Sequence, residues 1–214
     1  MTATIIQVYS IASGTQVLTE AVSAGDALLA IGFNTGNGVP LSSGVTVDSD
    51  TCTQVSSFAN APSAGYELWV APNMAAAGAG TVTVNVNNLG TGYVAWFIVH
   101  CSGLVTSSPL DIVAFGTNVT SPVTSSTFTP NYSNELSIVT AATNSVVTPT
   151  GGYSIIYTTG VYLLAMNPIS AGSQSVTYLT TGANGDVAVY TFRALDSVGS
   201  LAVLPTDAMF FGLE

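Results

Sequence analysis

One imidazole, two thiols and eleven carboxylates are the side chains from which this chain of 214 residues could build acid–base, thiol or metal chemistry. A serine- or cysteine-type mechanism must take His100, the sole histidine, as its base. Cys101 adjoins it in sequence, but neighbours on a strand point to opposite faces and cannot meet side by side. Cys52 with His100 is the dyad that geometry leaves open. Two cysteines are too few for a disulfide framework and lack metal-ligand spacing. Cys52 and Cys101 therefore read as a bridge, as two buried free thiols, or as one end of an intermolecular link. Asp48 and Asp50 flank Ser49 in a turn-rich stretch and could share a calcium ion with backbone carbonyls. The Gly and distal Glu of an EF-hand loop are missing, so a solvated or Asx-type turn competes with that reading.

The other candidates have bland explanations. Asp26 and Glu135 sit just before strand signals, where turn or strand-entry roles account for them. A glycosidase needs two carboxylates facing each other across a cleft, and no spacing in the chain places such a pair. Gly36-Asn37-Gly38 and Gly78-Ala79-Gly80 are turn material, since no Lys follows and no helix starts there. Trp69, Trp96, Tyr66, Tyr93, Tyr153, Tyr157 and Tyr162 could offer a sugar-stacking platform, yet most lie within apolar strand runs that favour core packing. Asn118-Val119-Thr120 and Asn131-Tyr132-Ser133 match the glycosylation pattern, and coincidence is the expectation. The expectation is a non-enzymatic protein with no catalytic residue, no cofactor and no firm metal site.

Composition narrows the partners. The chain is 48% hydrophobic and only 6% charged, with a net charge of −10, and Arg193 is its single Lys or Arg. Without a basic patch it cannot neutralise phosphates, so neither nucleic acid nor anionic membrane is an expected partner. The longest apolar run, 94–99, falls far short of the roughly 20 residues a helix needs to span lipid. Residues 1–8 lack a basic region followed by a continuous apolar one, so synthesis and retention in the cytoplasm until release is the expectation.

Strand signals run from end to end: 27–33, 66–71, 81–86, 93–99, 135–141, 153–158, 161–166, 175–179 and 187–193 are rich in β-branched and aromatic residues bounded by Gly, Asn, Ser and Pro. Residues 81–86 alternate as a strand with one wet face, whereas 94–99 is apolar on both faces and reads as a strand covered from two sides. No stretch has helical periodicity, so the chain is expected to be all-β.

The halves also repeat. Gly92 to His100 lies over Gly185 to Arg193; Leu68 to Asn73 resembles Tyr162 to Asn167; Thr81 to Val84 resembles Ser175 to Tyr178; and Gly25 to Ala30 resembles Ser133 to Ile138. His100 and Arg193 thereby fall on equivalent positions, where each could close the sandwich by pairing with a carboxylate or a loop carbonyl. Arg193 with Asp196 is a further local pairing. Half the chain is a thin core for a sandwich, and no charged or Pro-rich linker divides the halves. A single jelly-roll β-sandwich of two pseudo-repeated Greek-key halves is therefore expected over 20–195. Residues 117–129 are the best linker candidate or an extended crossing strand. Residues 1–19 form an N-terminal strand or arm, with Ile5, Ile6 and Val8 as assembly candidates. Residues 196–214 form a final strand or assembly arm carrying Met209, Phe210, Phe211 and Leu213.

The runs Gly25-Asp26-Ala27-Leu28-Leu29, Asp48-Ser49, Leu68 to Asn73, Gly80 to Val84, Ser102-Gly103-Leu104, Ser108 to Asp111 and Asn134-Glu135-Leu136 resemble a jelly-roll module found in large bacterial surface proteins and in structural proteins of tailed phages. The resemblance spans roughly residues 20 to 195 and implies a β-sandwich that binds or assembles. Related modules tend to carry an acidic residue and an aromatic before Ser-Gly, where this chain has His100 and Cys101. The functional expectation is a virion protein of a tailed phage, a capsid decoration protein ahead of a head-fibre or tail-fibre subunit. It would be a homo-oligomer seated on the major capsid protein or another virion protein, made in the host cytoplasm and residing in the virion. The alternative is an extracellular or cell-surface module, an adhesin or a carbohydrate-binding domain.

Overall fold

Segments in which Val, Ile, Thr and aromatic residues alternate with small polar ones form strands throughout, and no helix occurs among the described residues. The computed structural model describes residues 2–35, 41–48, 50–60, 64–89, 93–143, 146–158, 161–170, 172–181, 184–196 and 198–199. The first half supplies β1 (Thr4–Ile11), β2 (Gly14–Val17), β3 (Ala27–Thr35), β4 (Ser42–Val47), β5 (Thr53–Asn60), β6 (Ala64–Ala71), β7 (Thr83–Asn88) and β8 (Tyr93–Ser102). The second supplies β9 (Leu110–Thr120), β10 (Val123–Thr124), β11 (Tyr132–Ser133), β12 (Glu135–Ala142), β13 (Val147–Pro149), β14 (Ser154–Thr158), β15 (Val161–Ile169), β16 (Thr177–Thr180), β17 (Asn184–Phe192) and β18 (Val198–Gly199).

All pairings are antiparallel, and the two halves repeat strand for strand. The order β1-β8-β3-β6-β5 of the first five-stranded sheet recurs as β9-β17-β12-β15-β14, and the order β2-β7-β4 of the first three-stranded sheet recurs as β10-β16-β13. The expected duplication is therefore present, but the strands are partitioned differently from the single sandwich expected. Each half closes its own pair of sheets from eight strands, and the fifth sheet is only the short β11–β18 ladder.

Thinness of the core in one half is met by stacking. Trp96 and Ile98 of β8 pack outward with Val84 and Val86 under the three-stranded sheet of their own half. Phe97 and Val99, on the opposite face of the same strand, pack with Leu163 and Tyr190 of the second half. A separate outer cluster, with Val139, Leu164, Tyr178 and Val189, fills the second sandwich. The molecule thus has four layers of three, five, five and three strands, and its middle layer of side chains is shared. This arrangement explains why 94–99 is apolar on both faces, whereas Val82, Val84 and Val86 alternate with less buried residues.

The stacked sheets run in opposite order. β1 touches β14, the counterpart of β5, while β5 touches β9, the counterpart of β1. That reciprocity is the mark of a two-fold interface, here made within one chain. Aromatic rings line it: Phe58 stacks on Phe115 at 4.2 Å between centroids, and Phe97 meets Tyr157 edge-on at 6.0 Å.

Close packing leaves no room for a side chain at several glycines, Gly32 among them. A Cβ on Gly32 of β3 would lie 2.6 Å from the Trp96 ring, which is itself fully buried. Gly32→Ala should therefore destabilise the protein by about 3 kcal/mol through overpacking, read as a lower urea midpoint at unchanged slope.

The N-terminal residues join this frame. Ile5 and Val8 pack against the shared layer, Ile6 is partly exposed, and β1 pairs with β8, so 4–17 supplies one strand to each sheet of the first half. The expected linker 117–129 holds the end of β9 and all of β10. At the other end, β18 pairs with β11. Met209, Phe210, Phe211 and Leu213 lie outside the described residues.

Candidate functional site

A buried polar network surrounds the only histidine. Gly25, at φ +88°, turns the chain into β3, and the Asp26 carboxylate folds back to accept Ser23 N–H at 2.8 Å. Met74 clamps this turn from β6's far end, its N–H donating to Asp26 O at 2.8 Å. The register then sets His100 of β8 opposite both Leu28 of β3 and Gln7 of β1. Gln7 Oε1 accepts Thr19 N–H and Glu20 N–H, each at 3.2 Å, and also the Tyr9 hydroxyl. Its amide nitrogen is thereby turned toward the imidazole and donates to His100 Nδ1 at 3.0 Å. Nε2 is left to carry the ring proton, which it donates to Asp26 Oδ2 at 2.8 Å.

This geometry is structural. His100 is fully buried and both of its ring nitrogens are engaged, so neither is available to take a proton from a nucleophile. Cys101 faces the shared layer on the other side of the sheet, and Cys52 packs against the first outer cluster. The two cysteines are free thiols that belong to different core clusters. Burial pushes the Cys52 thiol up to about 12 and the Cys101 thiol higher, so both are protonated at neutral pH and poor nucleophiles.

Arg193 occupies the matching place after β17. Its Nη2 donates to the Ser107 carbonyl at 3.0 Å and to the Ser108 carbonyl, and its guanidinium lies 5.3 Å from the Tyr132 ring centroid. Equivalent positions thus use the two pairings expected of them, a carboxylate for His100 and loop carbonyls for Arg193.

Asp48 and Asp50 spend their carboxylates on separate backbone donors, Thr83 N–H at 2.6 Å and Ala75 N–H at 3.2 Å. Turn anchoring is what they do here. No group of three or more His, Cys, Asp or Glu among the described residues is arranged to hold a metal.

Two more acids are buried, Glu67, which the sequence reading passed over, and Glu135, which it took only as a strand-entry residue. Glu67 is fully buried and accepts Leu41 N–H at 2.6 Å, Ser42 Oγ–H at 3.0 Å and Trp69 Nε1–H at 3.1 Å. It fixes the start of β4 to the middle of β6. The available signal was a charge inside the apolar run Tyr66-Glu67-Leu68-Trp69.

Glu135, at the start of β12, is fully buried and makes no hydrogen bond of good geometry. Loss of water pushes its carboxyl up to about 7; the Thr191 hydroxyl and the Arg193 charge pull it down, and the neighbouring Asp111 carboxyl pushes it further up. Asp111 is held in place by Asn131, whose N–H and Nδ2–H both donate to it at 2.8 Å.

The aromatic residues mostly serve the interior. Tyr66 and Trp96 are fully buried, Tyr153 hydrogen-bonds Ser137 Oγ at 2.8 Å, and Tyr157 and Tyr162 pack against core clusters. The side chain of Tyr93 lies outside the described residues. The described side chains therefore build two cross-braced sandwiches, and the one imidazole serves as a brace. No family model, no curated protein and no solved structure matches the chain.

Proposed function

We propose that this chain is a non-enzymatic structural protein of a tailed-phage virion, and specifically a capsid decoration protein that binds the major capsid protein as a homo-oligomer. The observation that carries the reading is the use of the chemistry-bearing side chains. His100, Glu67 and Asp26 are spent on internal hydrogen bonds, while both thiols are held protonated by burial. What the molecule offers outward is strand edge and side chains almost free of cations, since β1, β5, β9 and β14 are the outermost strands of the two large sheets. Such edges suit main-chain pairing and apolar burial between copies.

We further read each half as a jelly roll, because four strands in the order 1-8-3-6 oppose three in the order 2-7-4. Mechanically, the shared middle layer ties two such units into one stiff block that a shell can use as a clamp. The oligomer is tested by light scattering of the untagged protein. A closed trimer or larger species supports the proposal. A monomer that binds oligosaccharides on a glycan array supports an extracellular carbohydrate-binding or adhesin module instead.

A further inference from the structure

The buried acids of the described chain are held in different ways. Asp26 and Glu67 accept hydrogen bonds from named donors, whereas neither oxygen of Glu135 accepts one of good geometry. The sheet register shows what stands closest to it. Leu136 of β12 pairs with Phe192 of β17, and both face the shared layer. One step further along, Glu135 therefore comes across from Arg193 on the opposite face of the sheet. Asp111 joins them from β9, at the slip that pairs Thr191 with Ile112 and Phe192 with Leu110.

Arg193 nevertheless spends its charge elsewhere. Nη2 donates to the Ser107 and Ser108 carbonyls, and the guanidinium lies 5.3 Å from the Tyr132 ring centroid. Those carbonyls belong to 103–109, the stretch that joins β8 of the first half to β9 of the second. Gly103 and Val105 are also held by backbone bonds to Leu195 and Arg193, whereas Ser107 and Ser108 are exposed and meet the guanidinium. Charge leaves Glu135 no other counter-ion: the chain has no Lys, Arg193 is its single Arg, and His100 is committed to Asp26 and Gln7. The remaining groups packed around Glu135 are the Asp111 carboxyl, the Tyr132 hydroxyl and Asp196, which accepts from Thr2 Oγ1 at 3.2 Å; Ile169, opposite Glu135 on β15, is uncharged.

We propose that Arg193 is a two-position latch, which holds the Ser107 and Ser108 carbonyls while Glu135 is protonated and turns to the Glu135 carboxylate when that acid ionises. A buried carboxylate beside a second acid is tolerated only with a counter-charge, and a charge-assisted bond to carboxylate is stronger than one to a carbonyl. The proton goes to solvent and no covalent bond changes. Turning the guanidinium removes its hold on Ser107 and Ser108, so the charge state of one buried acid sets how firmly the connection between the halves is tied.

A single Arg makes the test direct, since nitrogen-15 arginine gives one guanidinium spin system in the full-length protein. Its Nε and Nη resonances and the carbonyl resonances of Ser107 and Ser108 should titrate together, with a midpoint near the value of about 7 to which the Glu135 carboxyl is pushed. Hydrogen exchange over 104–108, corrected for the intrinsic rate, should be at least about threefold faster at about pH 8 than at about pH 5.5. Both changes should vanish in Glu135→Gln, in which slow exchange of β12 and β17 reports an intact fold. Guanidinium resonances that stay flat from about pH 5 to about pH 8.5 overturn the latch. So does a titration that persists in Glu135→Gln, which would assign it to Asp111 or Asp196. The latch stands apart from the virion reading, because the measurement uses the chain alone and a failure to bind shells leaves it untouched.

Discussion

Replacing His100 by alanine is expected to lower the free energy of unfolding by about 4 kcal/mol without abolishing any activity. The ring is fully buried, so its removal leaves a cavity, a Gln7 amide N–H without its acceptor and an Asp26 carboxylate reduced to the Ser23 N–H. An unsatisfied buried polar group costs about 1–3 kcal/mol, more when charged, and lost packing adds to this. Asp26→Asn is the contrasting variant. Its amide oxygen can still accept from Ser23 N–H and from His100 Nε2–H, both of which reach the same oxygen now. Its cost should be about 1 kcal/mol. Urea unfolding of the two variants measures the difference. A His100→Ala protein as stable as its parent contradicts the bracing role, and a hydrolytic activity lost in it would move the chain among the enzymes.

The second large effect concerns pH. The Glu135 carboxyl is pushed up to about 7 in the folded protein from 4.5 when free, so the folded state binds more protons between those values. Stability contributed by this group is fully present below about pH 4.5 and is lost as pH rises through about 7. Each pH unit of displacement is worth at most about 1.4 kcal/mol, and a total near 2 kcal/mol is expected after allowance for screening. Glu135→Gln cannot ionise against Asp111, and its amide can donate to that carboxyl. The variant should be more stable than the parent by about 2 kcal/mol at pH 8 and nearly equal to it at pH 4.5. Thermal unfolding of both proteins across this range gives the difference directly, and parallel pH profiles would contradict the buried-acid account.

Much of the architecture was legible because it depends on period and residue type. All nine strand runs read from the sequence contain or overlap strands of the fold, and 81–86 and 94–99 have the expected facing. Two of the strands that were missed, Ser42–Val47 and Thr53–Asn60, are rich in Ser, Thr, Gly and Gln, whereas Leu110–Thr120 was missed despite its Ile, Val and Phe residues. Pairing of the two polar strands comes from neighbours more than from their own residues.

The repeat was visible, but its register was legible only in part. Thr81 to Val84 over Ser175 to Tyr178 keeps buried Val84 with buried Tyr178. The match of Leu28 to Leu136 fails by one position, since Leu29 and Leu136 are the pair that face the shared layer. A slip of one residue exchanges faces, and a short apolar run does not reveal which face is which. The stacking of two sandwiches was hidden for a related reason. Phe97, Val99, Leu163 and Tyr190 look like any core residues until the sheets they belong to are known.

The histidine network was half legible. Pairing of His100 and Arg193 followed from their equivalent places in the repeat, but nothing in the sequence joined Gln7 to His100, Glu67 to Leu41, or Glu135 to Asp111. Buried polar residues are specified by partners distant in sequence: Gln7 meets His100 across 93 positions, and Asp26 meets it across 74.

Assembly onto a shell is the claim on which the functional account turns. It is tested by mixing the untagged protein with undecorated capsid shells from the source of its gene and sedimenting the mixture, with expanded and unexpanded shells run side by side. The account predicts saturable co-sedimentation at a fixed number of copies per capsomer and a rise in the shell's resistance to heat. Protein left wholly in the supernatant of both shell forms would contradict it.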